Sequence, residues 1–221
     1  MANADFQVVK KIVREFANAS SLRSCLVKLL KEHGFLSIGK GNWLGLRNRD
    51  VISGIKLEGT GSAPYISSFV LPAFDRNSLV HWTLGDRLAK CSSIEDTGDQ
   101  FAKAFDAYHA DILPIRTADD LLGHVGRDSV DGDYATWTSF ICLLRTGRVE
   151  EAAAMLDNGI AEHLHSQKLQ LLNELADVVR RRDRETIDRK LAFWRLESET
   201  ALKLPEDDFC ISAGPGMQQS P

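Results

Sequence analysis

The stretch WLGLRNRDVISGIKL, residues 43–57, decides the fold class of this 221-residue chain. Its two arms, 43–47 and 51–57, are rich in apolar and β-branched residues, which are typical of strands. Asn48, Arg49 and Asp50 separate the arms and form a polar break that suits a hairpin turn. The stretch therefore predicts two neighbouring antiparallel strands.

Two more strand-like runs follow without a helix between them. A Gly-rich segment, 59–62, leads into YISSFVL, residues 65–71, and VHWTL, residues 80–84, is a shorter candidate. Parallel strands need a long crossover connection, which these short segments do not provide. The sequence predicts an antiparallel meander of about four strands.

Helical periodicity flanks this strand region on both sides. Before it, apolar residues recur every three or four positions over 5–19 and again over 22–30, which predicts an N-terminal helical hairpin closed by Gly34. After Ser92 the pattern is helical throughout, so we expect an α+β protein with an all-helical C-terminal half. The predicted organisation is 1–92 as helical hairpin plus sheet, 93–204 as helices packed on it, and 205–221 as a mobile tail.

Several local signals predict where the later helices begin and end. Thr117 precedes Asp120 by three positions, close to a capping box, and Pro114 blocks the helix before it. Gly147 separates two short helices, 134–146 and 149–157, that form a tight pair. Two longer helices are expected over 160–182 and 185–204.

The composition excludes some classes of function. The chain has 27 basic and 31 acidic residues, and its formal net charge of -4 provides no global basic field, so we expect no nucleic-acid partner. No apolar run approaches the roughly 18 residues of a membrane span, and the first residues lack the plan of a secretory signal. We therefore expect a cytoplasmic protein with no membrane partner. The four widely spaced cysteines indicate free thiols.

The local motifs for nucleotide binding and nucleophilic catalysis are not met. Gly39, Gly41 and Gly45 are spaced one residue too widely for the dinucleotide fingerprint, and a strand follows where that motif requires a helix. Cys25 and His33 share a predicted helix, but their separation along it places them about 12 Å apart, too far for proton transfer. No catalytic or cofactor-binding residue is predicted.

No metal site is predicted either. His163 and His165 point to different sides of a predicted helix and would not share one ion. Asp128, Asp131 and Asp133 lack the ligand spacing of a calcium loop, and turn formation with helix capping explains them better.

The strand region carries more large aromatic residues than one core stripe accommodates. Aromatic residues at the rim of a sheet often anchor protein interfaces, although helices that cover both ends of the sheet would bury them instead. The candidate partner-binding residues are Trp43, Arg47, Arg49, Tyr65, Phe74 and Trp82.

Short motifs in order along the chain resemble those of a bacterial protein group. The motifs are HGF at 33–35, WLGL at 43–46, VISGI at 51–55, ILPI at 112–115 and TADDLL at 117–122. The chain resembles a group of α+β proteins of unknown function that occur near secreted-toxin genes. The resemblance implies, for some members, an immunity protein that neutralises a cognate toxin by binding it. It brings no catalytic residues with it.

The function predicted from the sequence is therefore binding of another protein, without a cofactor, with the sheet and its loops as contact surface. A secreted toxin is the partner that the resemblance implies, and occlusion is the mechanism. One alternative is an enzyme whose site is assembled from distant residues, for example His81, Asp86 and His109. Another is an adaptor or chaperone that acts through the helical pair around Gly147.

Overall fold

The fold is α+β, with one antiparallel sheet followed by a mostly helical C-terminal half, as predicted. The computed structural model describes residues 24, 27, 28, 30, 31, 35–38, 43–58, 65–77, 80, 84–92, 94–127 and 132–204; for 43, 57, 58, 94, 95, 97 and 98 it describes the backbone alone. Most of the predicted N-terminal helical hairpin and the whole of the predicted tail, 205–221, lie outside these residues.

The sheet has five described strands in the order of the sequence, each antiparallel to the next. The predicted hairpin is confirmed, with Asn48 opposite Val51 at its end and Arg49 in the turn with a left-handed φ of 51°. The strands are β1 (Leu36–Ile38), β2 (Trp43–Asn48), β3 (Val51–Glu58), β4 (Tyr65–Pro72) and β5 (Arg87–Lys90).

The last strand lies later in the chain than the sequence pattern indicates. Val80 and Leu84, the described ends of the predicted strand, are not in a strand, while β5 begins at Arg87. The sequence does not predict β5, because its residues RLAK contain no apolar run. A short strand with charged ends is typical of a sheet edge. The three-residue strand β1 was missed because it is too short to show alternation.

Six α-helices are described between residues 94 and 204. They are α1 (Ile94–Ala107), α2 (Ala118–Val125), α3 (Asp133–Thr146), α4 (Val149–Asp157), α5 (Ser166–Arg180) and α6 (Arg184–Leu202). A π-helical turn, Tyr108–Ile112, extends α1. The predicted long helix from 160 is divided, because a 3₁₀ turn at Ile160–His163 ends at the extended Leu164 before α5 begins. None of the described helices is both long and apolar enough to cross a membrane.

The predicted helix boundaries around α2 and α3 are confirmed. Thr117 accepts a hydrogen bond from the Asp120 backbone N–H, and Asp120 accepts one from the Thr117 N–H, which completes a capping box. Gly147 ends α3 with a left-handed φ of 84°, a conformation that strains any residue with a Cβ. These signals are local, and for this reason the sequence reveals them.

Both faces of the sheet are packed. Alternate residues such as Val51 and Ile55 face the helices and join the main core with Trp137 and Trp194. A smaller cluster covers the opposite face, where the end of α6 packs on the sheet; it contains Ile38, Ile52, Phe69, Leu71, Ala73, Leu202 and Leu204.

Candidate functional site

A cluster of cations surrounds Tyr65 at the β4–β5 edge of the sheet. The Arg87 guanidinium carbon lies 4.4 Å from the centre of the Tyr65 ring, and Lys90 Nζ lies 5.7 Å from it. Tyr65 is half-buried, whereas Arg87 and Lys90 are exposed. A cation over an aromatic face is attracted by the ring, which keeps both long side chains on one side of the sheet.

The register of the strands explains why these side chains meet. Tyr65 is opposite Lys90, but the next pairs are Ile66 with Ala89 and Ser67 with Arg87, so a bulge interrupts the ladder. A bulge increases the local twist and redirects side chains. It thereby lets two cations of a four-residue strand reach the same ring.

A third cation extends the cluster on the same face of the sheet. Lys56 of β3 is opposite Ser67 of β4, and Ser67 is in turn opposite Arg87 of β5. Ile55 and Ile66 belong to the core on the helical face, so Lys56 and Tyr65, their neighbours in the chain, lie on the opposite face. We name Lys56, Tyr65, Arg87 and Lys90 the Tyr65 patch.

Of the six predicted partner-binding residues, Arg49 and Tyr65 have described side chains that are not buried, and only Tyr65 belongs to the cation cluster. Arg49 is exposed in the β2–β3 turn, away from the β4–β5 edge of the sheet. Trp43 lies in β2 opposite Lys56, but its side chain is outside the described residues, as is the whole of Trp82. The structure does not bring Arg49 together with Tyr65.

The side chains of Arg47 and Phe74 are buried. Phe74 is 2% exposed and belongs to the main core, where the covering helices bury it. The Arg47 side chain is 6% exposed, and its Nη2 donates to Glu199 Oε1 of α6 at 2.5 Å. Both side chains are therefore buried in this structure, whereas the prediction places them on a contact surface.

The sequence pattern gave no sign of Arg87 and Lys90. They flank only two apolar residues, and the run at 80–84 has the more strand-like composition. Two cations three positions apart in a short edge strand are a usable signal, since natural sheets often place charges at their edges.

A cavity of about 80 Å³ opens beside α6, with Phe74 and Leu191 in its lining. Its charged wall is already paired, because Arg145 Nη2 donates to Asp50 Oδ1 at 2.8 Å. Small-molecule sites are usually several times larger, roughly 300–1,000 Å³. This cavity is therefore suited to water and not to a substrate.

The residues of the alternative catalytic site do not form a described constellation. His81 lies outside the described residues. Asp86 is exposed and contacts Ser68 through its backbone, donating from N to Ser68 Oγ at 2.9 Å. His109 packs edge-on against Phe105 with ring centres 5.8 Å apart. No hydrogen bond or ion pair joins the described atoms of Asp86 to those of His109.

The two described thiols lie in the interior of the protein. Cys91 and Cys142 are both buried. Burial, reinforced by the negative charge of Asp50 and Asp75, raises the pKa of the Cys142 thiol well above its usual range. The thiolate is the nucleophile and the metal ligand, so Cys142 is a core residue. Among the described residues, no three His, Cys, Asp or Glu side chains are grouped to hold a metal ion.

The helix pair around Gly147, the basis of the adaptor hypothesis, is closed by a side chain from α6. Arg184 Nη1 donates to the Leu144 carbonyl at 2.5 Å, and its Nη2 donates to the Arg145 carbonyl at 3.3 Å. These carbonyls belong to the last turn of α3, where a cation also favours the helix dipole. The carbonyl groups at the end of α3 are thus bonded to Arg184 of the same chain.

The chain matches no protein-family model, no curated protein and no solved structure. The resemblance to toxin-associated bacterial proteins stays a prediction.

Proposed function

We propose that this protein acts by binding another protein, and that the Tyr65 patch is the contact surface. One observation carries the proposal: Arg87 and Lys90 both lie over the face of a half-buried tyrosine at the edge of the sheet. Tyrosine and arginine are among the residue types that are enriched at the energetic centre of protein interfaces.

The chemistry of the patch favours an acidic partner. Arg87 and Lys90 place two positive charges over the Tyr65 ring of a chain whose formal net charge is -4. A local patch opposite in sign to the whole molecule orients an approaching partner and suppresses incorrect docking. Carboxylates on the partner would pair with Arg87 in a bidentate manner.

A protein suits this patch better than a nucleic acid. Nucleic-acid binding at physiological salt relies on many phosphate contacts along an extended basic surface. Two cations over one aromatic ring neutralise only a few phosphates.

Neutralisation of a secreted toxin by occlusion is the specific form of this proposal. The resemblance to proteins encoded near toxin genes motivates it, and binding alone would suffice, so the proposal requires no cofactor. The mechanism would be steric: a partner held on the sheet through its acidic surface would have its own active surface covered. A cytoplasmic location would follow from that role.

The experiment is co-expression of the full chain with the product of the adjoining gene, with growth of the host and co-elution of the two proteins as readouts. We expect the chain to restore growth and to form a complex. Arg87→Glu with Lys90→Glu should weaken that complex by about tenfold or more per residue, because charge pairs at interfaces typically couple by at least 1.5 kcal/mol.

The matched control is Arg127→Glu with Arg181→Glu, which makes the same change in net charge at two exposed arginines outside the patch. It should leave the complex intact. Equal loss in both double variants, or no loss in the patch variant, would contradict the assignment of the surface. Failure of the unaltered chain to restore growth would remove the toxin-neutralising form. Tighter binding of a single-stranded poly(U) oligonucleotide than of any protein would overturn the proposal of a protein partner.

A further inference from the structure

The outward side of α6 carries an apolar pair in a polar setting. Phe193 is 58% exposed and Leu196 is 61% exposed, and they are the large hydrophobic residues left most open among the described residues. The buried side of the same helix faces the opposite way; it contains Ile187, Leu191, Trp194, Ser198 and Leu202. Phe193 and Leu196 are therefore not needed for the core.

We propose that this face is covered by a second copy of the chain, with the two α6 helices packed antiparallel about a two-fold axis. The axis would pass midway between Phe193 and Leu196. Each Phe193 would then contact the other copy's Leu196, which buries all four side chains in one contact. A two-fold interface needs such a self-complementary patch, because the same surface is used by both copies.

The charges on the exposed side of the helix have the symmetry that this arrangement requires. Glu185, with a side chain that is 88% exposed, lies about 14 Å from the midpoint toward the start of α6. Lys203, which is exposed at the C-cap of the helix, lies about 13 Å from the midpoint in the other direction. Antiparallel packing therefore sets each Glu185 opposite the other copy's Lys203, once at each end.

Two further exposed positions agree with the antiparallel direction and not with the parallel one. Arg189 and Thr200 lie at equal distances from the midpoint, so Arg189 would face the neutral Thr200 of the other copy. Parallel packing would place Arg189 against Arg189 and Glu185 against Glu185, and like charges opposite each other are unfavourable. Within one chain, Glu185 is only loosely paired, at 3.9 Å from Arg189.

The contact should be weak, since one helix pair covers less than the roughly 800 Å² per partner of a standard interface. It lies on α6 and involves no residue of the Tyr65 patch. The inference is therefore independent of the proposed function, and either can fail while the other holds.

The first experiment is sedimentation equilibrium of the full chain over a concentration series up to the millimolar range. We expect a reversible monomer–dimer equilibrium that Phe193→Glu and Leu196→Glu each abolish. Ala154→Glu, at an exposed site on α4, adds the same charge elsewhere and should leave the equilibrium unchanged. Circular dichroism spectra that match the unaltered chain show that each variant is folded.

The second experiment tests the direction of packing by exchanging charges. Glu185→Lys alone and Lys203→Glu alone should each weaken the dimer, because like charges then meet at both ends. A one-to-one mixture of these two variants should associate again, since every end contact in the mixed dimer joins opposite charges. Dimers that survive Phe193→Glu, a mixture that stays monomeric, or an unaltered chain that is monomeric at every concentration would overturn the proposal. The last result would leave the face to a different protein.

Discussion

Lys168 Nζ donates to Asp75 Oδ2 at 2.7 Å across 93 positions of sequence, and the two side chains are 6% and 0% exposed. The carboxylate has other donors as well. Trp137 Nε1 donates to Oδ1 at 3.0 Å, the Tyr134 hydroxyl to Oδ2 at 3.2 Å and the Arg76 backbone N–H to Oδ1 at 2.8 Å. A buried charge is tolerated when it is paired and hydrogen-bonded in this way.

The same loop is also held by α6. Ser198 Oγ donates to the Asp75 carbonyl and accepts from the Asn77 backbone N–H, the latter at 2.7 Å. The segment after β4 is thus joined to α3, α5 and α6 through one set of buried polar groups. Buried polar networks with satisfied partners fix one arrangement of the elements around them, so this network aligns the helices on the sheet.

Breaking this pair should be strongly destabilising. Asp75→Asn leaves the Lys168 ammonium buried without its counter-charge, and we expect a loss of about 3–5 kcal/mol in the free energy of unfolding. Urea denaturation followed by tryptophan fluorescence measures it, because Trp137 and Trp194 are in the core. A loss below about 1 kcal/mol would show that the pair is unimportant for stability.

The companion variant separates the charge from the packing. In Asp75→Asn with Lys168→Met both charges are removed, and the unbranched apolar side chain of methionine fills most of the lysine's space. We expect the double variant to be more stable than Asp75→Asn alone by at least about 1 kcal/mol, because no unpaired buried charge remains. Additive losses would contradict direct coupling of the two residues.

A pair of glycines opposite each other in β2 and β3 makes room for Phe69 on the sheet. A Cβ on Gly54 would lie 2.1 Å from the Leu44 carbonyl oxygen and 2.6 Å from the Cα of Gly45, which are backbone atoms. A Cβ on Gly45 would lie 2.5 Å from Ile38 Cδ1, which is the end of a side chain, and less tightly, at 2.9 Å, from the Ser53 carbonyl oxygen. We expect Gly45→Ala to cost about 1–3 kcal/mol, as overpacking usually does, and Gly54→Ala to cost more.

Second-site changes distinguish the two clashes. Ile38→Val should recover part of the stability of Gly45→Ala, because it removes the methyl group that the new Cβ meets. Phe69→Leu should not recover Gly54→Ala, because the clash with the Leu44 carbonyl remains. Chemical denaturation of the four variants gives the comparison, and a full rescue of Gly54→Ala would contradict the strand spacing described here.

The parts of the fold that the sequence reveals depend on local rules. The β2–β3 hairpin, the capping box at Thr117 and the left-handed Gly147 each need only a few neighbouring residues. The strand β5 escapes prediction because its pairing partner, Tyr65, lies more than 20 positions earlier and its own residues carry no alternation. Periodicity cannot indicate a strand that is stabilised mainly by its neighbour.

The sequence predicts the residues of the candidate site only in part. Tyr65 stands out in the sequence as an aromatic at the start of a strand. Arg87 does not, because only the antiparallel register and the bulge bring it over the ring. Arg47 shows the converse case. The sequence suggests a surface charge, but in the structure Arg47 forms a largely buried ion pair with Glu199 of α6.

The capping box of α2 predicts a modest, pH-linked effect. Slight burial works against ionisation of Asp120, but hydrogen bonds from the backbone of Arg116 and Thr117 outweigh it and hold the pKa of Asp120 below its usual value. This contribution is present above the unfolded-state pKa and is lost as the pH falls through the lower folded-state pKa. Thr117→Ala should cost about 1 kcal/mol near neutral pH. Thermal unfolding at pH 7 checks that cost. Asp120→Asn, which removes the carboxylate that accepts from the Arg116 and Thr117 backbone, should be destabilising at pH 7 and less so at pH 3.

Tyr108 provides the complementary prediction in alkali. Its hydroxyl lies in the π-helical turn 3.1 Å from Ser53 Oγ in the middle of the sheet, and both residues are fully buried. Burial raises the pKa of Tyr108 to about 12 from its usual 10, although the hydrogen bond with Ser53 works against the increase. The folded state therefore binds this proton more tightly than the unfolded state does.

The sign of the pH dependence follows from that difference. Stability associated with the Tyr108 proton is complete below pH 10 and is lost as the pH rises from about 10 to about 12, by about 3 kcal/mol in total. Tyr108→Phe has no phenolic proton at this position, so its stability should fall less over that interval. At neutral pH it should still cost about 1 kcal/mol, because Ser53 loses its partner.

Urea denaturation of the two proteins between pH 9 and pH 11.5 measures the difference, and the absorbance of tyrosinate reports when each phenol ionises. Tyr134 is buried in both proteins, and burial together with the charge of Asp75 raises its pKa well above the usual value, so its contribution cancels in the comparison. Parallel loss of stability in the two proteins would mean that Tyr108 ionises without unfolding, and that the π-helical turn opens to water more readily than the packing around Ser53 indicates.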